Sequence, residues 1–247
     1  MRTEDFIATI SNLSKEDDKF EELRKGVPLG LDEGGNVVYA SQYKGLNVLK
    51  NLCVTGEYRV EFICRTLITL SCLYDKEEAN FILISPNPRY AEVLRLNNMD
   101  ATVPFIRMKS DLELVKKAIQ DVLIMRMNGA GYPRLVIVLD GLEELPECNK
   151  NKELVEYREF FNMLMQRGDV EVICGVDLMK SIFSGCPGGF IGIGNCLVTA
   201  LEQGKADVTY VGNDASLSQP MPITYPDAPS LEEAITLLNA LGKNGDV

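Results

Sequence analysis

From Asn51 onward, short apolar runs alternate with longer stretches of helical periodicity. Asn51–Thr55 (NLCVT) is an apolar strand closed by Gly56. Val60, Cys64, Leu67 and Leu70 then mark the inner stripe of a helix reaching about Leu73. Ile63 and Ile68 widen that stripe, so the helix is predicted to be largely buried. Phe81–Ile84 reads as a strand, Ser85-Pro86-Asn87-Pro88 as a turn, Tyr90–Leu96 as a helix and Phe105–Met108 as a short strand. Ser110-Asp111-Leu112-Glu113 has the form of a capping box, and Leu112, Val115, Ile119 and Val122 share one face of the helix behind it. Asn128-Gly129-Ala130-Gly131 ends that helix. Arg134–Asp140 (RLVIVLD) is the strongest strand, apolar from Leu135 to Leu139 before its acidic end, as in a parallel sheet covered on both faces. There follow a helix over about Glu153–Gln166, a strand Val170–Cys174, a Gly-rich loop (184–195) and strands Cys196–Ala200 and Val208–Val211. A second capping box, Ser230-Leu231-Glu232-Glu233, opens a last helix ending near Gly242.

The start of the chain has another texture. Residues 3–25 read as one or two charged amphipathic helices, which sets residues 1–25 apart as an N-terminal helical segment. Val27–Ala40 reads as a hairpin turning at Asp32-Glu33-Gly34-Gly35-Asn36. With no repeat, low-complexity tract or dividing linker, residues 26–247 are expected to form one domain. Its expected class is α/β, a doubly wound, mostly parallel sheet flanked by helices.

Composition narrows the chemistry. Of 247 residues, 25 are Lys or Arg and 36 are Asp or Glu, a formal charge of −11 that repels phosphate backbones. Direct DNA binding by the isolated chain is therefore not expected. The chain has no histidine, which removes Ser-His-Asp and Cys-His catalysis, His-ligated zinc and histidine pH switches. Seven cysteines (53, 64, 72, 148, 174, 186, 196) without a Cys-x-x-Cys pair read as small core residues in a reducing compartment. No metal site is expected. Met1–Lys15 lacks an apolar segment, and no run of ~18 apolar residues could span a bilayer. The expectation is a cytoplasmic protein that meets a membrane only through a partner.

Open sheets of this kind bind ligands outside the carboxyl ends of their central strands. The apolar strand 51–55, its Gly56 turn, a buried helix and a second apolar strand ending in Asp140 form the skeleton of a RecA-like P-loop NTPase. Over residues 26–241 the chain resembles the FtsK/SpoIIIE-like motor ATPases, including the ATPase domains of type VII secretion motors. Val27-Pro28-Leu29-Gly30 with its hairpin is similar to the family's domain entry. Asn51–Gly56 matches the Walker A strand and first glycine, and Phe81–Asn87 the strand ending in Asp-Pro-Lys. Leu135–Asp140 matches Walker B, Val170–Gly175 the sensor strand, and Ile193–Val211 the late hairpin.

The departures carry more weight. Where the Walker A pattern has Gly, Lys and Ser/Thr, this chain has Glu61, Phe62 and Ile63. Glu61 would bring a carboxylate to the phosphates, at roughly 1–4 kcal/mol for each like-charge pair at ~4 Å. After Asp140 the family's glutamate is Gly141, and Asp-Pro-Lys has become Ser85-Pro86-Asn87. No catalytic residue is assigned. Gly56, Glu61, Phe62 and Ile63 stand as a vestigial nucleotide site, and Asp140 with Gly141 as the Walker B remnant. Phe62 and Ile63 then fill the vacated pocket, and Asp140 is a strand-end carboxylate capping local N–H groups. Lys44, Lys50, Arg59 and Arg65 read as surface ion pairs, Glu143 and Glu144 as a solvated start of a helix or loop, and Gly188, Gly192 and Gly194 as a surface loop.

The resulting expectation is a non-catalytic pseudo-ATPase serving as an interaction or regulatory module, with no cofactor. The resemblance implies head-to-tail stacking and protein partners, namely other motor ATPase domains or small helical secretion substrates. The alternative is an active DNA translocase or secretion motor using ATP and Mg through an unorthodox site. It would take cations from a partner subunit and use Glu143 as its base.

Overall fold

The computed structural model describes residues 24, 26–40, 51–99, 109–127, 132–141, 160, 163–164, 167, 170–177, 196–211 and 217–225. Its strands are β1 (Pro28–Leu31), β2 (Val37–Tyr39), β3 (Asn51–Thr55), β4 (Ala79–Ile84), β5 (Arg134–Asp140), β6 (Val170–Gly175), β7 (Cys196–Glu202), β8 (Lys205–Tyr210) and β9 (Met221–Thr224). Two long helices, α1 (Arg59–Leu73) and α2 (Lys109–Met127), follow β3 and precede β5. All nine strands join one sheet in the order β2-β1-β9-β8-β7-β3-β6-β5-β4.

The sheet has two halves with different logic. From β7 through β3, β6 and β5 to β4 every pairing is parallel. These strands are the continuous apolar runs, and β3 and β5 are buried along almost their whole length. A parallel sheet needs cover on both faces. On one side α1 supplies it, packing Val60, Phe62, Ile63, Leu67 and Leu70 against Leu52, Val54, Val136 and Val198. On the other, Val115, Ile119 and Leu123 of α2, with Phe160 and Leu164, cover Cys53, Ile82, Ile137 and Val172. The other half, β8, β9, β1 and β2, is antiparallel, joined through the β7–β8 hairpin. The α/β, mostly parallel architecture is as expected, with the antiparallel extension added at one edge.

Several local expectations shift. Tyr90–Leu96 forms two short 3-10 turns, Pro88–Tyr90 and Val93–Arg95, in place of one helix. Asn87 Oδ1 accepts from the Arg89 N–H at 3.0 Å, and the chain must return at once so that Asn98 O can accept from the Phe81 N–H at 2.8 Å. That leaves no length for an α-helix. Helix α2 begins at Lys109, so Ser110 lies within its first turn and is not its cap. Strand β9 had no sequence signal because Pro222 cannot donate to a ladder. It is tolerated because β9 meets β1 only at Leu31↔Thr224. The expected segment 1–25, apart from Arg24, lies outside the described residues, as do strand 105–108, the loop 184–195 and the last helix; of helix 153–166, residues 160, 163 and 164 are described, all helical. Arg24 donates to Glu78 Oε1 at 2.5 Å and stacks 5.0 Å over the Tyr74 ring, which Arg134 also covers at 5.1 Å. No helix among the described residues is long and apolar enough to cross a membrane.

Candidate functional site: a closed strand-end crevice

Register brings the candidate residues together. Gly175 at the end of β6 pairs with Val54 on one side and Asp140 on the other, so the ends of β3, β6 and β5 lie in one row. Strand β3 sits between β6 and β7 while the next strand in the chain, β4, lies at the far edge, so the crevice opens where the strand order reverses.

The turn leaving β3 is short. Gly56 takes φ +101°, and a Cβ there would stand 2.2 Å from the Ala200 carbonyl oxygen of β7. The same oxygen accepts from the Tyr58 N–H at 3.2 Å. Only Glu57 and Tyr58 separate Gly56 from the first residue of α1, Arg59. The expected sites Glu61, Phe62 and Ile63 therefore fall inside the helix, not in a loop that wraps a ligand. Phe62 and Ile63 are fully buried. The Phe62 ring meets Tyr225 edge-on, with centroids 5.0 Å apart and planes at 83°. Both side chains are core, as expected. Glu61 is mostly buried and lies 3.9 Å from Arg65 one turn on.

Asp140 is wholly buried, and its cation comes from an unexpected place. Arg59 Nε donates to Asp140 Oδ1 at 2.8 Å, with the Arg59 side chain 12% exposed. Tyr90 interacts with the same carboxylate; burial first, then the Asp140 charge, pushes its phenol well above the usual range. Gly175 makes room for this arrangement. A Cβ on it would stand 2.0 Å from Asp140 Oδ1 and 2.9 Å from Ile63 Cδ1. Gly141 turns the chain away at φ +67° and donates to Gly175 O at 3.3 Å. Ser85, buried at the end of β4, accepts from the Asn87 N–H at 3.1 Å, so the Asp-Pro-Lys position serves a turn. Cys64 is buried beside this cluster and its thiol is pushed up to about 12, chiefly by desolvation.

Two expectations change here. Asp140 holds an arginine where a cap on N–H groups was expected. Arg59 and Arg65, grouped with surface bases, are both mostly buried, with Arg65 6% exposed. The signal that could have revealed Arg59 is a basic residue inside the Walker A spacing, in a chain whose strand-end aspartate, once buried in the sheet, needs a counter-ion. Tyr90 and Gly175 had no signal of that kind, since only the sheet register puts them at Asp140. Lys44, Lys50, Glu143, Glu144, Gly188, Gly192 and Gly194 lie outside the described residues.

No protein-family model and no curated protein matches this sequence. Solved structures do. The chain is similar to EssC (ATPases 2 and 3) from Geobacillus thermodenitrificans, with a TM-score of 0.57 and 11% identity over 88% of this chain and 49% of that one. It is similar to a protein described only as an ATPase, with a TM-score of 0.60 and 11% identity over 92% and 94%. A third similar structure is Thermomonospora curvata EccC (ATPases 2 and 3) in complex with a signal sequence peptide, with a TM-score of 0.54 and 13% identity over 83% and 41%. The chain thus spans half or less of the EssC and EccC chains. At these identities the likeness is one of architecture: the chain has the α/β, RecA-like fold of P-loop ATPase domains, and its structural neighbours include the EssC and EccC ATPases.

Proposed function

We propose that this protein is a pseudo-ATPase, a P-loop fold kept as an interaction or regulatory module without nucleotide chemistry. The Arg59–Asp140 pair carries the reading. In active P-loop sites the strand-end aspartate helps hold magnesium, a lysine neutralises phosphate charge and a Ser/Thr hydroxyl ligates the metal. Here a fixed guanidinium stands on that aspartate at 2.8 Å. The lysine position is a buried ring against Tyr225, and the hydroxyl position is a buried isoleucine. The turn that would cradle phosphates is stitched to Ala200. These residues do not fit a magnesium nucleotide, and no catalytic step is assigned through one.

A fold without its ligand is retained for its surfaces. Likeness to EssC and EccC supports a setting beside secretion machinery, with other motor ATPase domains or small helical secretion substrates as partners. The charge of −11 favours protein over DNA. A cytoplasmic location goes with this reading.

Thermal unfolding with nucleotide tests it. At 1 mM ATP with magnesium the melting temperature stays unchanged, whereas a site with a Kd of ~10 μM would add about 2.7 kcal/mol. A clear upshift, or steady ATP turnover abolished by Asp140→Asn, would overturn the proposal in favour of an active motor.

A further inference from the structure

The antiparallel half of the sheet has unequal faces. Val198, Ala200, Ala206, Val208 and Ile223 are buried in the core shared with α1. The alternate residues Thr199, Leu201, Lys205, Asp207, Pro222 and Thr224 are partly or fully exposed. Pairing sets Thr199, Asp207 and Pro222 in one row across β7, β8 and β9, with Lys205 and Thr224 in a neighbouring row. Adjacent strands lie about 4.8 Å apart, so three strands present a platform roughly 10 Å wide, matching one peptide segment.

At this end the β1–β2 turn contributes Asp32 and Glu33 to a groove of about 330 Å³. Its exposed apolar lining comes from Leu31, Leu201 and Pro222. Leu201 is 59% exposed at the hairpin tip, an apolar side chain in water. Four carboxylates, those of Asp32, Glu33, Glu202 and Asp207, line the same groove. Lys205 is the one cation among the described lining residues, and it already donates to Glu202 at 2.9 Å. Bonds from the Asn36 side chain and N–H hold the Asp32 carboxyl below its ordinary range and so keep it charged.

We propose that this groove docks a basic segment of a partner protein, in which Lys or Arg residues flank an apolar anchor. Apolar lining beside surplus carboxylates matches that chemistry. A second copy of the chain fits poorly, since the same face would bring carboxylates against carboxylates on a molecule of charge −11. The groove gives the interaction module a surface, and rests on that reading only for the premise that partners are proteins.

Fluorescence anisotropy on the full chain tests it, at 150 mM salt where screening acts beyond ~8 Å. The probes are labelled peptides of four Lys-Leu, four Lys-Ser and four Glu-Leu repeats. Saturable binding of the Lys-Leu peptide is expected, at least about tenfold tighter than either control because both charge and anchor contribute. Glu33→Lys with Asp207→Lys should weaken it about tenfold or more, as should Leu201→Ser, with melting temperatures unchanged because these positions do not pack in the core. Equal binding to wild type and variants, or to all three peptides, would overturn the proposal. So would a dimer seen by sedimentation that Leu201→Ser dissolves while no peptide binds. The nucleotide melt is a separate measurement, so failure here and failure of the pseudo-ATPase reading are told apart.

Discussion

Asp140 shows how one residue can keep its place and change its chemistry. A buried carboxylate must be neutralised or paired, and Arg59 pairs it from the first turn of α1. Removing one partner of such a pair strands the other charge. Arg59→Ala should therefore cost about 3 kcal/mol in urea unfolding, while Arg59→Met with Asp140→Leu should return to within about 1 kcal/mol of wild type. A loss from Arg59→Ala well under 1 kcal/mol would mean that the pair does not hold the site. Gly56 is the second decisive residue. Alanine there would have to adopt φ +101° with its Cβ 2.2 Å from Ala200 O, so Gly56→Ala should destabilise by about 3 kcal/mol. Chemical denaturation would check this, and a neutral Gly56→Ala would show that the turn can move.

At the scale of elements, α1 explains why restoring a motif would not restore a site. It starts at Arg59, and its first turn is packed: Phe62 and Ile63 face the core and Thr66 Oγ1 donates back to Phe62 O at 2.9 Å. Phe62→Lys would place a buried ammonium against Tyr225, away from any phosphate. The expected result is a loss of about 3 kcal/mol or more, with no gain of ATP binding by calorimetry. The helix stripe was legible in the sequence because Val60, Ile63, Cys64, Leu67 and Ile68 repeat at its period. Its start near Val60, after the Gly56 turn, was legible as well; that Ala200 of β7 holds this turn was not, because it is a contact across the sheet. The two 3-10 turns around Tyr90 escaped for a related reason: apolar spacing looks alike in a short helix and in a segment pulled back to pair with β4.

The described residues are built around one sheet, whose buried strands hold Cys53, Cys174 and Cys196, while α1 holds Cys64. Cys53, Cys64, Cys174 and Cys196 are buried, in line with the reading of cysteines as core residues. Desolvation raises Cys53 and Cys64 to about 12. The folded state then binds protons that the unfolded thiol, with a pKa near 8.5, gives up. This contribution is full below about pH 8 and is lost progressively as pH rises from there toward 12. Between pH 9 and 10 each of these two thiols should remove about 1 kcal/mol, and Cys53→Ala with Cys64→Ala should lessen that slope in urea titrations, leaving the share of Cys196, whose thiol burial also raises. At pH 8 the four thiols should resist a disulfide reagent until denaturant is added; rapid native reaction would contradict their burial. The fold class was legible because parallel strands buried on both faces must be continuously apolar, as β3 and β5 are. The antiparallel extension was only half visible, since β9 contains a proline that a strand reading discounts.

By itself the sequence determined the alternation of strand and helix, the residues Glu61, Phe62, Ile63 and Gly141 at their positions, the lack of histidine and the acidic charge. These are properties of residue type and spacing, and they do not depend on where the chain goes. Only the tertiary structure decided that Arg59 serves Asp140, that Gly175 leaves room for that carboxylate, and that a groove with four carboxylates opens beside the β1–β2 turn. Each of those joins residues far apart in the chain, and their meeting is set by sheet register. Periodicity within a segment cannot reveal it.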